Sequence, residues 1–434
     1  MRISPGRAFL ILTSLALSVG VVADGAADDG ADDATDIEDK LALAELLSEN
    51  TYPLTLKDGK LGGPGAKLLL DSAAGAQFVA LGEEHFNFYI PDITTALFAA
   101  LHDRYGFQYL MTEQDPVMME TYSRPPVRGD LDKINALAQQ YPMGVTFNSD
   151  QELKMLADLG RISTTSGDVI WGCDQGFGVT HTLDQLVQEL DDEQAIAAVR
   201  AFRQISAKQE ATRNLSEGHF MYQQDAEDFI RLKAEVGPPP GSHAEWLLDV
   251  LVNSSQIYDF YENGEQGVLP GYYENNRFRE EHLKDLCLAK YRAAEKQDPL
   301  PKALLKFGSW HLYQGLSPTR LHTIGDFFAS VARFNGQGFL SVQFFSRPED
   351  PENSMKDIGF IWPLVRELDA DEFAVIDLRP FRPYPNRVLI QRVQGEEWDE
   401  EFKEDFVRLV YGYDMIFFIG KTREATFEVV PQMP

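Results

Sequence analysis

Short apolar runs alternate with amphipathic stretches along most of this chain, and the alternation predicts strands separated by helices. The predicted strands are Gln77–Leu81, Phe107–Met111, Asp168–Cys173, Ala303–Phe307, Gly338–Phe345, Phe373–Asp377 and Asp414–Ile419. Helical stripes lie between them at Pro91–Tyr105, at about 130–140 and 149–160, and around Thr323–Phe334. Strands joined by helices form right-handed crossovers and mainly parallel sheets.

The segment from about 183 to 294 has a different pattern, because it is helical throughout and rich in Gln, Glu, Lys and Arg. Predicted strands precede and follow it, so the sheet takes its strands from both parts of the chain. We therefore predict an α/β fold: a mainly parallel central sheet flanked by helices, with a helical insertion between the third and fourth strands. The folded part is predicted to be a single domain over residues 40–434.

The first 39 residues have the pattern of a targeting segment followed by a spacer. Arg2 and Arg7 precede an apolar run over 8–22. This run is shorter than the ~20 residues of a membrane-spanning helix. Small residues then permit cleavage after Ala23, so we expect 1–23 to be a signal peptide and the protein to be exported, periplasmic or secreted. Residues 24–39 carry eight acids and no base, which predicts an acidic disordered spacer. No later stretch predicts a membrane span, so we expect no integral span in the mature chain.

The net charge of the chain limits the classes of molecule that it can bind. Its 434 residues include 68 acidic and 39 basic side chains, for a formal net charge of −29. A surface this acidic repels phosphate backbones, which argues against nucleic-acid binding. Only two cysteines are present, Cys173 and Cys287, so neither a disulfide scaffold nor a Cys-type zinc module can form. We expect Cys173, which lies in a predicted strand, to be a buried core thiol; a single disulfide with Cys287 is the alternative permitted in an exported protein.

Polar side chains follow four of the predicted strands, at the edge where open parallel sheets bind their ligands. They are Glu83, Glu84 and His85 after the first strand, Glu113 after the second, Asp174 after the third, and Ser309 and His311 after the fourth. We expect these residues, which come from segments more than 200 positions apart, to converge on one candidate site.

Such a set supports two kinds of chemistry. The imidazoles and carboxylates could hold a divalent metal (manganese, cobalt or zinc) whose bound water loses its proton more readily. Without a metal, a histidine could act as general base, oriented by a neighbouring carboxylate. Structural alternatives remain open: Glu113 and Asp174 could cap the helices that follow them, and His311 could pack among its aromatic neighbours.

A cationic helical segment lies about 30 residues before His311. Its two arginines, Arg277 and Arg279, point to different faces of a helix, so at most one is expected to reach the site. There it would neutralise the carboxylates or stabilise negative charge. The alternative is a surface ion pair with Glu280 or Glu281.

The motifs in this order resemble the erythromycin esterase/ChaN/Tiki superfamily, over roughly residues 75–345. They are Leu81-Gly82-Glu83-Glu84-His85, Met111-Thr112-Glu113, Gly172-Cys173-Asp174, Asn276-Arg277-Phe278-Arg279 and Phe307-Gly308-Ser309-Trp310-His311. By this resemblance, His85 matches the first-motif histidine of the family, Glu83 and Glu113 its carboxylates, and His311 its late histidine.

The resemblance implies several functions, because the superfamily includes esterases that open a macrolide lactone, metal-dependent proteases, and exported haem- or iron-binding proteins. One residue separates Glu83 from His85 where the esterases have two, a spacing nearer to that of the ChaN and Tiki branches. This departure argues against macrolide hydrolysis.

We expect an exported hydrolase that cleaves an ester or amide bond of a small-molecule or peptide substrate, by general-base or metal-assisted attack of water. The expected catalytic residues are His85, Glu83, Glu113, His311 and Arg277, and the expected metal ligands are His85, Glu83, Glu113, His311 and Asp174. The alternative is a non-catalytic exported protein that binds haem or iron, with an apolar face formed by Phe86, Phe88 and Tyr89.

Overall fold

The computed structural model describes residues 46–212, 220–263, 271–347, 373–383, 400–420 and 423–431. The predicted signal peptide at 1–23 and the acidic spacer at 24–39 lie outside the described residues. Within the described ranges, no helix combines the length and apolar character needed to cross a membrane. These residues form two compact units, of which the larger contains 85–308 and 424–431 and the smaller contains 46–84 and 309–423.

The described strands and helices follow the predicted alternation closely. The strands are β1 Thr51–Lys57, β2 Lys60–Gly62, β3 Ala76–Glu83, β4 Tyr109–Thr112, β5 Ile170–Gly172, β6 Ala303–Gly308, β7 Gly338–Ser346, β8 Phe373–Asp377 and β9 Met415–Ile419. The helices are α1 Gly63–Ala73, α2 Ile90–Tyr105, α3 Pro116–Ser123, α4 Leu131–Gln140, α5 Asp150–Ile162, α6 Thr180–Gln188, α7 Glu193–Thr212, α8 Phe220–Gln223, α9 Ala226–Val236, α10 His243–Asn263, α11 Gly271–Glu295, α12 Ile324–Phe334 and α13 Glu400–Gly412. Single 3-10 turns occur at Ser309–His311 and Arg379–Phe381.

The larger unit contains three parallel strands in the order β6–β4–β5. Every residue of these strands is buried, as is typical of parallel strands covered on both faces. The one charged side chain among them, Lys306, pairs with the buried carboxylate of Glu152 at the start of α5, at 3.1 Å. The carboxyl ends of all three strands lie at the same edge and lead into the candidate site.

Between β5 and β6 the described chain forms the six helices α6 to α11, which cover most of the described residues of the stretch at about 183–294 that was predicted to be helical. The break predicted around Gly237–Gly241 separates α9 from α10. That this stretch is an insertion into a single domain over 40–434 stays a prediction.

The smaller unit has six strands in the order β2–β1–β8–β9–β7–β3. The pairs β3–β7 and β7–β9 are parallel, whereas β8–β9, β1–β8 and β1–β2 are antiparallel. The fold is therefore α/β with a mixed arrangement of strands flanked by helices. Among the described strand pairs of both units the parallel ones predominate, as predicted, and the antiparallel ones lie in this unit.

Two antiparallel pairs of this unit involve the hairpin β1–β2, an element that was not predicted. Its turn is Asp58-Gly59, and both residues have positive φ angles, 51° and 69°. An Asp-Gly pair between short strands favours this tight turn, because both central residues must adopt left-handed conformations. The hairpin then adds to β8 in an antiparallel sense, with Tyr52 opposite Val375.

Candidate active site

Three strand ends of the larger unit define the candidate site. Glu113 directly follows β4, Asp174 lies two residues after the end of β5, and Gly308 is the last residue of β6. The first two chain segments run side by side beyond the strands, since Cys173 donates its N–H to the carbonyl of Thr112 and Asp174 donates to that of Gln114. The two carboxylates are thereby fixed by backbone bonds on the same edge.

One guanidinium joins these carboxylates. Arg279 on α11 donates from Nη2 to Glu113 Oε1 at 2.6 Å and to Asp174 Oδ2 at 2.8 Å. Its Nε donates to Asp174 Oδ1 at 3.0 Å and to the side chain of Gln175 at 2.8 Å. Asp174 is thus held by two parallel bonds, the geometry for which a planar guanidinium is suited.

The cluster of Arg279, Glu113 and Asp174 is buried, and this burial affects the pKa values of Arg279 and of the nearby His282. Burial disfavours the guanidinium charge, but the adjacent charges of Asp174 and Glu113 outweigh it and raise the pKa of Arg279. The same cation acts on His282, one turn further along α11. There burial, together with the charge of Arg279, lowers the imidazole pKa to about 4.

His85 lies next to Glu113, on the side of the carboxylate away from Arg279. Its Nε2 is 3.9 Å from Glu113 Oε2, and its ring stacks on Phe147 with the ring centroids 4.0 Å apart and the planes tilted by 11°. The second oxygen of Glu113 also accepts the backbone N–H of Gly308 at 2.6 Å. Glu113 therefore contacts the guanidinium on one side and faces the imidazole on the other.

Gly308 is required by this close approach rather than by its backbone conformation. A Cβ at this position would lie 2.9 Å from His85 Nε2 and 3.2 Å from Glu113 Oε2. Any side chain here would separate the imidazole from the carboxylate.

The loop that carries Phe147 is held by Gln114. The side-chain oxygen of Gln114 accepts the N–H groups of Thr146 and Phe147 at 3.0 and 3.4 Å, and its amide donates to the Phe147 carbonyl at 3.2 Å. The residue after Glu113 thus fixes the ring on which His85 stacks.

Asp115, the next residue, caps α3. Its Oδ1 accepts the N–H groups of Val117 and Met118, which satisfies two donors at the start of the helix. Oδ2 is buried and has no hydrogen-bond partner among the described residues. Burial, opposed by the cap bonds, raises the pKa of Asp115 to about 7, with the negative charges of Glu210 and Asp174 adding to the rise.

A disulfide joins the two elements that meet at the ion-pair cluster. Cys173, the neighbour of Asp174, is bonded to Cys287 on α11, with 5.6 Å between the Cα atoms. Cys287 lies eight residues after Arg279, about two helical turns along the same stripe of α11. The crosslink therefore ties the helix that carries the guanidinium to the strand end that carries its carboxylate.

The predicted site residues divide between the two units. His85, Glu113 and Asp174 come together in the larger unit with Arg279. Arg277 does not join them: its side chain is exposed and pairs with Glu274 on the same helix at 2.8 Å.

Glu83 and His311 belong to the smaller unit, where Glu83 is buried at the end of β3 and His311 is buried in the 3-10 turn after Gly308. Glu84, of the same unit, accepts the Ser346 N–H at 3.2 Å, and burial raises its pKa to about 7. The catalytic and ligand roles of Glu83 and His311 stay predictions.

The carboxylates of the larger unit do not fit a resident metal. Among the described residues, no group of three or more His, Cys, Asp or Glu side chains is placed to hold a metal ion. Glu113 and Asp174 are both bonded to Arg279, so a guanidinium already occupies the cation position between them.

The sequence did not identify Phe147 and Gln114 as residues of the site. It gave Arg279 as one of two arginines, with Arg277, that could reach the carboxylates. A signal for Arg279 was present: it shares a helical stripe with Leu283 and Cys287, both buried. Phe147 lies in an irregular loop, and no periodic pattern could have identified it.

No protein-family model matches this chain, and no curated protein matches its sequence. Solved structures do match. An erythromycin esterase EreC mutant in its open conformation has a TM-score of 0.54 and 13% identity, covering 88% of this chain and 100% of that chain. A Bacillus cereus protein has a TM-score of 0.53 and 12% identity over 91% and 99% of the two chains.

A structure described as a succinoglycan biosynthesis protein has a TM-score of 0.51 and 13% identity over 89% and 98% of the two chains. At these identities the likeness lies in the fold. The fold expected from the motifs is therefore confirmed by its likeness to a solved erythromycin esterase, and membership of the superfamily stays a prediction.

Proposed function

We propose that this chain is an exported hydrolase that cleaves an ester or amide bond with His85 as general base and no metal. The observation that carries the proposal is the arrangement of His85, Glu113 and Arg279: an imidazole faces a carboxylate whose other oxygen is held by a buried guanidinium. A solved erythromycin esterase has a similar fold, which is compatible with hydrolysis but does not by itself specify the reaction, so the proposal rests on the site.

The proposed reaction uses water as nucleophile. His85 takes a proton from a water molecule as the water oxygen bonds to the carbonyl carbon of the substrate. The tetrahedral intermediate then collapses, and the imidazolium returns the proton to the departing alcohol or amine. A positioned general base contributes about 10²- to 10⁴-fold to such a reaction.

Glu113 supports the base through charge. At 3.9 Å from Nε2 it stabilises the imidazolium that forms when His85 takes the proton. Arg279 is engaged by Glu113, Asp174 and Gln175, which favours a positioning role for it. We assign to Arg279 the fixing of the Glu113 carboxylate, in place of the charge stabilisation expected of Arg277.

The haem- or iron-binding alternative places its ligand against the apolar residues after His85. The ring of Phe86 packs against Phe147 and Phe427, and that of Phe88 packs against Tyr89. The placement of His85 between the Glu113 carboxylate and the ring of Phe147 favours the hydrolase, because it orients the imidazole as a base.

Export is part of the proposal. The basic residues Arg2 and Arg7 before an apolar run support a signal peptide. The Cys173–Cys287 disulfide is also typical of oxidising compartments outside the cytosol.

The test is hydrolysis of a panel of neutral chromogenic esters by the purified protein. We expect His85→Ala to lower kcat/KM by about 10²- to 10⁴-fold. The matched control is His322→Ala, since His322 is an exposed histidine of the smaller unit that pairs with Asp326. Equal activity in the wild type and His85→Ala would refute the assignment, and stoichiometric haem in the purified protein would favour the alternative.

A further inference from the structure

The residue after His85 has an unfavourable backbone conformation. Phe86 has a φ angle of 62°, in the left-handed region that bulky residues rarely adopt. The residue is 37% exposed, so burial alone does not account for the conformation. Backbone outliers of this kind persist only where the surrounding structure holds them, and they cluster at functional sites.

Residues 424–431, which we call the C-terminal strap, contact Phe86 directly. Ala425 donates its N–H to the carbonyl of Phe86 at 2.9 Å, and Glu424 forms an antiparallel bridge with Asn87. The ring of Phe427 lies 5.7 Å from that of Phe86. Phe86 in turn packs edge-on against Phe147, the ring on which His85 stacks, at 5.6 Å.

The strap is anchored to the start of α5. The Asp150 carboxylate accepts the Thr426 hydroxyl at 2.6 Å and the N–H groups of Glu428 and Val429 at 2.9 Å. Gln151 exchanges two further hydrogen bonds with Thr426. Burial opposes the charge of Asp150, but these bonds outweigh it and lower its pKa, as expected for a carboxylate that accepts several donors.

From these contacts we infer that the C-terminal strap positions His85: it holds Phe86 in its left-handed conformation and so keeps the imidazole stacked on Phe147 and facing Glu113. Phe86 and Phe427 are positioning residues, because they act on the base and not on the substrate. The inference rests on the proposed function only in the experiments that measure turnover. The placement of His85 can be measured without any catalytic activity.

The first experiment compares Phe427→Ala with Phe427→Leu. His85 is labelled with diethyl pyrocarbonate, and the rate of carbethoxylation is followed by mass spectrometry of the peptide that contains it. The His85 side chain is 14% exposed in the wild type. We expect its labelling in Phe427→Ala to be at least about 5-fold faster, because a loosened stack opens the site and exposes more of the ring. In turnover assays, kcat should fall by about 10- to 100-fold with KM nearly unchanged, because misplaced catalytic groups slow the chemical step. Phe427→Leu should restore most of both values.

The second experiment keeps the inference testable if Phe427→Ala does not fold. Asp150→Asn removes the anchoring charge, and its matched control is Asp132→Asn, because Asp132 lies in the first turn of α4 and is likewise a helix-start carboxylate. Asp150→Asn should accelerate labelling of His85, whereas Asp132→Asn should not.

The outcomes separate this inference from the proposed function. Faster labelling in Phe427→Ala without ester hydrolysis by any variant, the wild type included, would leave the strap in its role and remove the hydrolase. Wild-type labelling in both Phe427→Ala and Asp150→Asn would overturn the inference, whatever the turnover.

Discussion

The ion-pair cluster predicts the cost of removing its cation. Arg279→Met keeps the length of the side chain but leaves the carboxylates of Glu113 and Asp174 buried without a positive partner. Both carboxylates are almost fully enclosed, with side chains 4% and 3% exposed. Loss of one partner from a buried ion pair costs about 3–5 kcal/mol, and because two carboxylates depend on this cation we expect the upper end of that range.

Arg279→Lys should be milder. It keeps the charge but cannot form two parallel bonds with Asp174 while also reaching Glu113, so we expect a loss of about 1–2 kcal/mol. The comparison separates the contribution of charge from that of geometry.

The assay is urea unfolding of the wild type, Arg279→Met, Asp174→Asn and the double variant. Asp174→Asn removes one of the carboxylates that Arg279 neutralises, so the double variant should be less destabilised than the two single losses together predict. We expect a coupling free energy of about 2–3 kcal/mol. Additive losses, or a loss below about 1 kcal/mol for Arg279→Met, would refute the cluster as described.

Two further predictions concern stability. Burial raises the pKa of Asp115 to about 7 from 3.8, so between these values the folded chain holds a proton that the unfolded chain has released, and stability falls as the pH rises. The loss of unfolding free energy between pH 5 and pH 8 should therefore be about 2–3 kcal/mol smaller in Asp115→Asn than in the wild type. If urea titrations give the same loss in both proteins, the burial argument is contradicted. Replacing Cys173 and Cys287 by Ala should cost about 2–5 kcal/mol in the same titrations, because the disulfide closes a sequence separation of 114 residues. A loss confined to activity would show that the disulfide only positions Arg279.

Much of the fold was predictable because its strongest signals are local. The buried runs that became β3, β4, β6, β7 and β9 lie within a few residues of their predicted places. Each is a short apolar segment bounded by polar or glycine residues, and such patterns depend little on the rest of the chain. The strand ends then identified Glu113 and Asp174 as neighbours, because parallel strands bring their carboxyl ends to one edge.

The remainder depends on contacts between distant segments. Whether Arg277 or Arg279 reaches the carboxylates depends on the rotation of α11, which is set by the packing of Leu283 and by the disulfide at Cys287. Phe147 lies against His85 because distant segments hold its loop, among them the bonds that Gln114 makes to it. No single-sequence pattern encodes such long-range pairings.

The C-terminal strap shows the same limit. Ala425 and Thr426 carry no strand or helix pattern, yet they contact Phe86 and Asp150, which lie about 340 and 276 positions earlier in the chain. The antiparallel hairpin of the smaller unit differs, because its Asp58-Gly59 turn is a recognisable signal that could have been used.

The central claim is that Glu113, oriented by Arg279, supports His85 as a general base without a metal. The most direct measurement is the rate of ester hydrolysis by the wild type and by Glu113→Gln, each before and after exhaustive treatment with a chelator. The account predicts that the wild type keeps its rate after chelation and that Glu113→Gln loses about 10- to 100-fold in kcat under both conditions. Loss of wild-type turnover on chelation, with recovery on adding manganese, cobalt or zinc, would contradict it.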